Sequence, residues 1–189
     1  MPTRAFFSRK PPAFALGSWL LLLALLGAPA AQADEYTDVN RLISGKQFPQ
    51  ALASADKYLA AKPRDPQMRF LKGVIQTETA KTGEAIETFT QITTDYPELP
   101  EPYNNLAVLY ASQSQFDKAR ETLEMAVRLN PRYATAHENL GDIYARLASQ
   151  SYSRAQQLNA GNAGLSPKLA LISQLLAPAA KAATPAKAP

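Results

Sequence analysis

The chain has 189 residues, with 20 Lys+Arg against 16 Asp+Glu, one histidine and no cysteine, for a formal net charge of +4. The missing thiols exclude disulfides, cysteine nucleophiles, iron–sulfur ligation, cysteine-type zinc sites and lipid attachment at a cysteine. No basic patch or stripe accompanies the positive charge, so nucleic acid is not an expected partner.

The first 33 residues read as an export leader. Arg4, Arg9 and Lys10 form a basic start, an apolar run from Ala13 to Leu26 follows, and Ala31 and Ala33 fit the small-x-small pattern before a cleavage point after Ala33. A bilayer span needs about 20 apolar residues, and this run is shorter and interrupted by Gly17 and Ser18. Cleavage, rather than retention as an anchor, is therefore the expectation, with an exported, periplasmic product and no membrane span remaining. Losing residues 1–33 removes three basic and no acidic side chains, which takes the net charge from +4 to +1. Binding to a partner is then expected to depend little on salt.

Beyond the leader one period recurs. Pro63, Pro97 and Pro131 are spaced by 34 residues, and so are Ala51, Ala85 and Ala119. An aligned small position holds Val39, Gly73, Ala107 and Gly141, and Asn105, Leu106 and Tyr110 align with Asn139, Leu140 and Tyr144. Three kinds of position keeping one period define repeat units at about 32–65, 66–99, 100–133 and 134–163.

Within a unit the apolar spacing predicts two antiparallel helices. In Pro100–Tyr133 one stripe runs through Tyr103, Leu106, Ala107 and Tyr110, Ser112–Gln115 interrupt it, and a second runs through Phe116, Ala119, Leu123, Ala126 and Val127. Pro131 ends the second helix, because it has no N–H to donate and its ring clashes with the preceding turn. Ala107 and Ala119 let the two helices approach closely. Thr135 with Glu138 three residues on predicts a capping box at the start of the next helix. In unit four no alanine or proline follows in register. An apolar seam through Tyr144, Leu147, Tyr152, Ala155 and Leu158 instead predicts one longer helix, or a hairpin with a shortened second arm. Residues 164–176 predict a capping helix, with Ser166 as cap, Pro167 at the first helical position and Leu169, Ile172 and Leu176 on one face. A partner-binding amphipathic helix is the alternative for this segment. Residues 177–189 are almost entirely Ala, Pro and Lys and are expected to be disordered.

These residues resemble the tetratricopeptide repeat family, whose period is 34. Unit three carries the pattern at Tyr103, Leu106, Ala107, Tyr110, Ala119, Leu123, Ala126 and Pro131. Unit two keeps Gly73, Ala85, Phe89 and Pro97 but has Lys72 and Gln76 at usually apolar positions. Unit one matches only at Leu42, Ala51 and Pro63, and unit four at His137, Leu140, Gly141 and Tyr144. The resemblance implies an all-α fold of antiparallel helix hairpins stacked in a short right-handed solenoid. It further implies that the first helix of each unit lines a concave groove. By matched position the groove residues are Phe70, Val74, Asn104, Asn105, Val108, Glu138, Asn139 and Asp142. Asn105 and Asn139 suit peptide binding because an amide both donates and accepts, and they equally suit tying one repeat to the next. A variant of the family clamps a C-terminal carboxylate with basic residues. Phe70, Val74 and Thr135 stand where such groups are needed, so that clamp is absent.

Catalytic signals are few. His137 matches the aromatic position of Tyr103, so its ring is expected to pack between helices. Ser54-x-x-Lys57 and Lys81-Thr82-Gly83 echo two motifs of penicillin-binding enzymes, but they lie too close together and no middle motif intervenes. Glu84 and Glu87, and Glu121 and Glu124, read as solvated faces of second helices. No glycine-rich phosphate loop or metal-ligand spacing is present, and no cofactor or metal is expected. The expected function is a non-catalytic module binding a segment of another envelope protein, as adaptor or assembly factor. The rival is an accessory enzyme subunit bound through its outer faces or capping helix. An autonomous hydrolase built on Ser54 is a formal third reading. Oligomeric state is left open.

Overall fold

The computed structural model describes residues 28–177, with side chains from Glu35 onward. The basic start and apolar run of the leader and the Ala/Pro/Lys tail lie outside the described residues. Eight helices follow in order: α1 (Ala28–Ser44), α2 (Phe48–Ala61), α3 (Pro66–Glu78), α4 (Thr82–Asp95), α5 (Pro100–Ser112), α6 (Phe116–Leu129), α7 (Ala134–Leu158) and α8 (Leu165–Leu175). No strand occurs among the described residues. Helix α1 runs through the expected cleavage point, so cleavage after Ala33 would leave its later turns as the start of the stack.

The 34-residue period is written in backbone as well as side chains. Each of the first three hairpins turns through one left-handed residue, Lys46, Ala80 and Ser114, at φ of 55°, 57° and 59°. The next amide reaches five residues back: Gln47 to the Leu42 carbonyl, Lys81 to Gln76 and Gln115 to Tyr110. In units one to three the second helix is closed by a cap residue that precedes a proline. Lys62, Tyr96 and Asn130 take φ of −134°, −136° and −133°, because the following pyrrolidine ring disfavours helical backbone there.

The core runs along the stack as three joined clusters. Val39, Ala51, Ala55, Tyr58, Met68, Leu71 and Ile75 fill the first, Ala85, Phe89, Ile92, Leu106 and Leu109 the second, and Ala107, Ala119, Leu123, Ala126, Ala136 and Ile143 the third. The small positions do as expected in the middle units. Ala107 and Ala119 are fully buried, and a Cβ added to Gly73 would lie 2.7 Å from the ring of the fully buried Phe89. First helices also touch along the stack, α1 against α3 and α5 against α7. Second helices pack chiefly on their neighbours in sequence. The first helices thus share one side of the stack, the side that the resemblance assigns to the groove and that is called the inner face below.

Unit four departs from the period. Helix α7 is one 25-residue helix, the first of the two arrangements that the seam allowed. Its small and aromatic positions are open: Gly141 has no atom within 4 Å of an added Cβ, and Tyr144 is 48% exposed. Both positions exist to receive a second helix in register, and here the partner, α8, packs further along α7, where Gln156 donates to the Ser166 hydroxyl at 3.1 Å. Leu158, placed on the apolar seam by sequence, is 73% exposed at the last residue of α7. Two expected caps are also absent. Tyr133, not Thr135, precedes α7, and Gly164, not Ser166, precedes α8. Neither end has a side-chain cap bond. Thr135 and Ser166 each sit one residue inside a helix that begins earlier than their cap chemistry suggested. Leu169, Ile172 and Leu176 are half-buried on one side of α8, while Leu171 and Leu175 are 65% and 68% exposed on another.

Candidate functional site

The inner face is built by the helix starts of units two, three and four. Asp65 opens α3 by accepting from the Met68 amide at 2.8 Å, and Pro66 occupies the first turn, where no N–H is needed. Leu99 in extended backbone turns the chain into α5, which also begins on a proline. These two starts enclose a cleft of about 380 Å³ lined by Pro66, Gln67, Phe70, Leu99, Glu101 and Pro102. Of these, repeat matching singles out only Phe70. Gln67 and Glu101 sit three residues before Phe70 and Asn104, one helical turn away on the same face, and that spacing is the signal that could have found them.

The predicted groove residues do not behave alike. Phe70 and Val74 are half-buried against the second core cluster, and Phe70 meets Phe89 edge-on with ring centroids 5.6 Å apart. They form the floor rather than a free contact surface. Asn104 is 7% exposed and accepts from the Asn139 amide at 2.8 Å, a bond that joins α5 to α7. Asn139 is therefore an inter-repeat tie. Asn105 turns back on its own helix and donates to the Glu101 carbonyl at 3.0 Å. Val108 is 44% exposed, and Glu138 and Asp142 are exposed. Tyr133 lies half-buried beside this group; burial, then the Glu101 charge, pushes its hydroxyl above the ordinary tyrosine range.

His137 does not pack between helices. It is exposed, and its Nε2 lies 3.1 Å from the Pro131 carbonyl. Tyr103 makes the equivalent link to Pro97 at 3.3 Å, so the position serves to brace the proline turn whether or not its ring is buried. Ser54 and Lys57 line a separate cleft of about 390 Å³ with Glu35, Asp38 and Tyr58, at the α1–α2 end of the stack. Lys81–Gly83 open α4 and are not part of its wall. Glu84 and Glu124 are engaged with Lys81 and Arg120 on the second helices. Among the described residues no group of three or more His, Asp or Glu side chains could hold a metal, and no helix is long and apolar enough to cross a membrane.

Comparison with known proteins bears on the repeat itself. Residues 36–100 match the family described as tetratricopeptide repeat, and residues 109–147 the one described as TPR repeat. A curated relative from Arabidopsis thaliana, "Tetratricopeptide repeat domain-containing protein PYG7, chloroplastic", is 44% identical over 52 residues, which span 28% of this chain and 17% of that protein. Among solved structures, TTC0263, a thermophilic TPR protein of Thermus thermophilus, superposes with a TM-score of 0.58 at 21% identity, over 77% of this chain and 83% of its own. The first TPR of Spaghetti (RPAP3), bound to the HSP90 peptide SRMEEVD, gives 0.57 at 16% identity, over 61% and 92%. At such identities the structures establish the fold alone. With the sequence matches spanning units one to four, the chain belongs to the tetratricopeptide repeat family.

Proposed function

We propose that the chain is a non-catalytic interaction module, exported to the periplasm, that binds a segment of another envelope protein along its inner helices. The observation that carries this reading is the 380 Å³ cleft between α3 and α5, continuous in sequence register with half-exposed Val108 and the Asn104–Asn139 bridge. That volume is near the lower end of ligand-sized clefts, about 300–1,000 Å³. It suits one or two side chains of a partner rather than a cofactor. The backbone polar groups of the inner helices are spent within the helices, so specificity falls to side chains. Relatives that bind peptides, as the RPAP3 domain does, support the reading by analogy.

The test is site-specific photo-crosslinking in whole cells from Val108, with Glu121 on the second-helix side and Leu171 on α8 as comparison positions. A partner captured from Val108 and from neither of the others is the expected result. Capture from Leu171 alone would move the interface to α8. It would then favour the second reading, an accessory subunit held through its end, for which exposed Leu171 and Leu175 are the motive.

A further inference from the structure

Resting on that reading of the inner face, we infer that the groove takes a basic segment of its partner, one that lodges a large apolar side chain in the α3–α5 cleft and sets lysine or arginine against Glu101, Glu138 and Asp142. The three carboxylates are exposed, and none has an ion-pair partner among the described residues. Several acids on the other surfaces are paired. Asp56 holds Lys72 at 2.7 Å, Asp95 holds Arg69 at 2.6 Å, and Arg120 lies 3.5–3.7 Å from Asp117, Glu121 and Glu124. Those pairs draw Arg69 and Lys72 of α3 toward the second helices, α5 has no base of its own to offset Glu101, and the base that follows Asp142 on α7, Arg146, leans over the Phe116 ring of α6 at 5.7 Å.

Helix spacing sets the three acids on neighbouring faces of α5 and α7. On α5, Glu101, Asn104 and Val108 follow at three- and four-residue spacing and share a face; on α7, Glu138 and Asp142 do the same. Asn139 lies between them and bonds across to Asn104, which holds the two faces edge to edge. Glu101 also stands on the rim of the cleft, whose walls are Pro66, Phe70, Leu99 and Pro102. An apolar side chain in that cleft therefore has the Glu101 carboxylate beside its own backbone, within reach of a cation one or two residues along the segment, and a segment continuing toward α7 meets Glu138 and Asp142. The HSP90 peptide of the RPAP3 complex ends in Glu-Glu-Val-Asp; like-charge repulsion would reject such a segment here. The near-neutral total that predicted little salt dependence averages over surfaces that the partner never touches.

The probe is a randomised peptide library displayed on phage and panned against the purified protein, with enriched peptides then resynthesised and tested for photo-crosslinking from Val108. The expectation is enrichment of Lys or Arg next to one large apolar residue, and capture from Val108. Neutralising the site by Glu101→Gln, Glu138→Gln and Asp142→Asn should weaken those peptides by about tenfold with the helical content unchanged, and raising the salt should do part of the same. Enriched peptides that are neutral or acidic and still crosslink from Val108 would overturn the basic-segment proposal while leaving the groove reading intact. Enriched peptides that do not crosslink from Val108, or no enrichment at all, would sink both.

Discussion

Gly73 and Gly141 occupy the same position of the repeat, two units apart, and the structure assigns them opposite responses to one methyl group. In Gly73→Ala the new Cβ would lie 2.7, 2.9 and 3.0 Å from Cζ, Cε1 and Cε2 of Phe89. That ring is fully buried and has Phe70 packed edge-on against it, so it has little room to retreat. Overpacking of this kind costs about 1–3 kcal/mol, and the better helix propensity of alanine returns about 1 kcal/mol. The net expectation is a loss of up to about 2 kcal/mol. In Gly141→Ala nothing stands within 4 Å, so only the propensity remains, a gain of about 1 kcal/mol. The two variants should therefore differ by about 1–3 kcal/mol, or on the order of 3–10 °C in Tm for a domain of this size. Urea titrations followed by circular dichroism at matched m-values would measure it. Gly73→Ala gaining as much stability as Gly141→Ala would refute the reasoning, since Phe89 would then be yielding freely. Loss of stability in Gly141→Ala would mean that something covers this part of α7 in solution.

Ala80 holds a left-handed φ of 57° without being glycine, so Ala80→Gly should raise stability by about 0.5–1 kcal/mol in the same titration. Burial alone would raise the Asp65 carboxyl, but hydrogen bonds from the Tyr36 hydroxyl, the Met68 amide and the Tyr58 hydroxyl outweigh it and hold the group below the ordinary carboxylate range. A depressed folded pKa stabilises above the unfolded value of about 3.9 and is lost as pH falls through the folded value. Asp65→Asn should therefore cost about 1 kcal/mol near neutrality, with the gap to the parent closing below about pH 4 in urea midpoints measured across pH. Asp95→Ala strands the Arg69 guanidinium, whose side chain is only 11% exposed, and should cost about 2 kcal/mol. Arg69→Met removes the charge with its partner half in solvent and should cost less, within about 1 kcal/mol, by the same assay.

How far the fold was legible depends on which residues carried it. Position types that act within one unit were readable: the prolines set the helix ends, and the alanines at 51, 85 and 119 set the close approach, both by local sterics. Positions whose role depends on a second segment were not. Ala111-Ser112-Gln113-Ser114 ends α5, with Ser114 left-handed, whereas the identical tetrapeptide Ala148-Ser149-Gln150-Ser151 lies inside α7 as continuous helix. Local propensity is the same in both, so packing decides. In unit three α6 returns along α5 and buries Ala119 and Leu123; in unit four no such returning helix follows in register, and α7 runs on. The cap assignments at Thr135 and Ser166 failed for a related reason: cap chemistry marks where a helix could start, and tertiary contacts started it a residue or two earlier.

The candidate site was legible as a set of repeat positions, and its charge was not. Repeat spacing named turns of α3, α5 and α7 as candidates, but it could not separate Phe70 and Val74, which the second cluster absorbs, from Val108, which is left 44% exposed. That distinction depends on how deeply the next unit settles. Nor could it decide between the two roles of asparagine. The amide at 139 found its partner at 104, one position off the alignment that paired it with 105, and Asn105 found the carbonyl of its own helix. Charge was hidden by summation. Residues 34–189 carry nearly equal numbers of acids and bases, yet the fold pairs Lys72 and Arg69 with acids of neighbouring helices and gathers three acids around Arg120. Glu101, Glu138 and Asp142 stand apart from that pairing. A solenoid makes such sorting natural, because first and second helices face different surroundings, and a total over both faces describes neither. Within about 8 Å, the Debye length at physiological salt, a partner laid along α5 and the first turns of α7 experiences these acids and the bases beside them, Arg132 and Arg146, rather than the total of the chain.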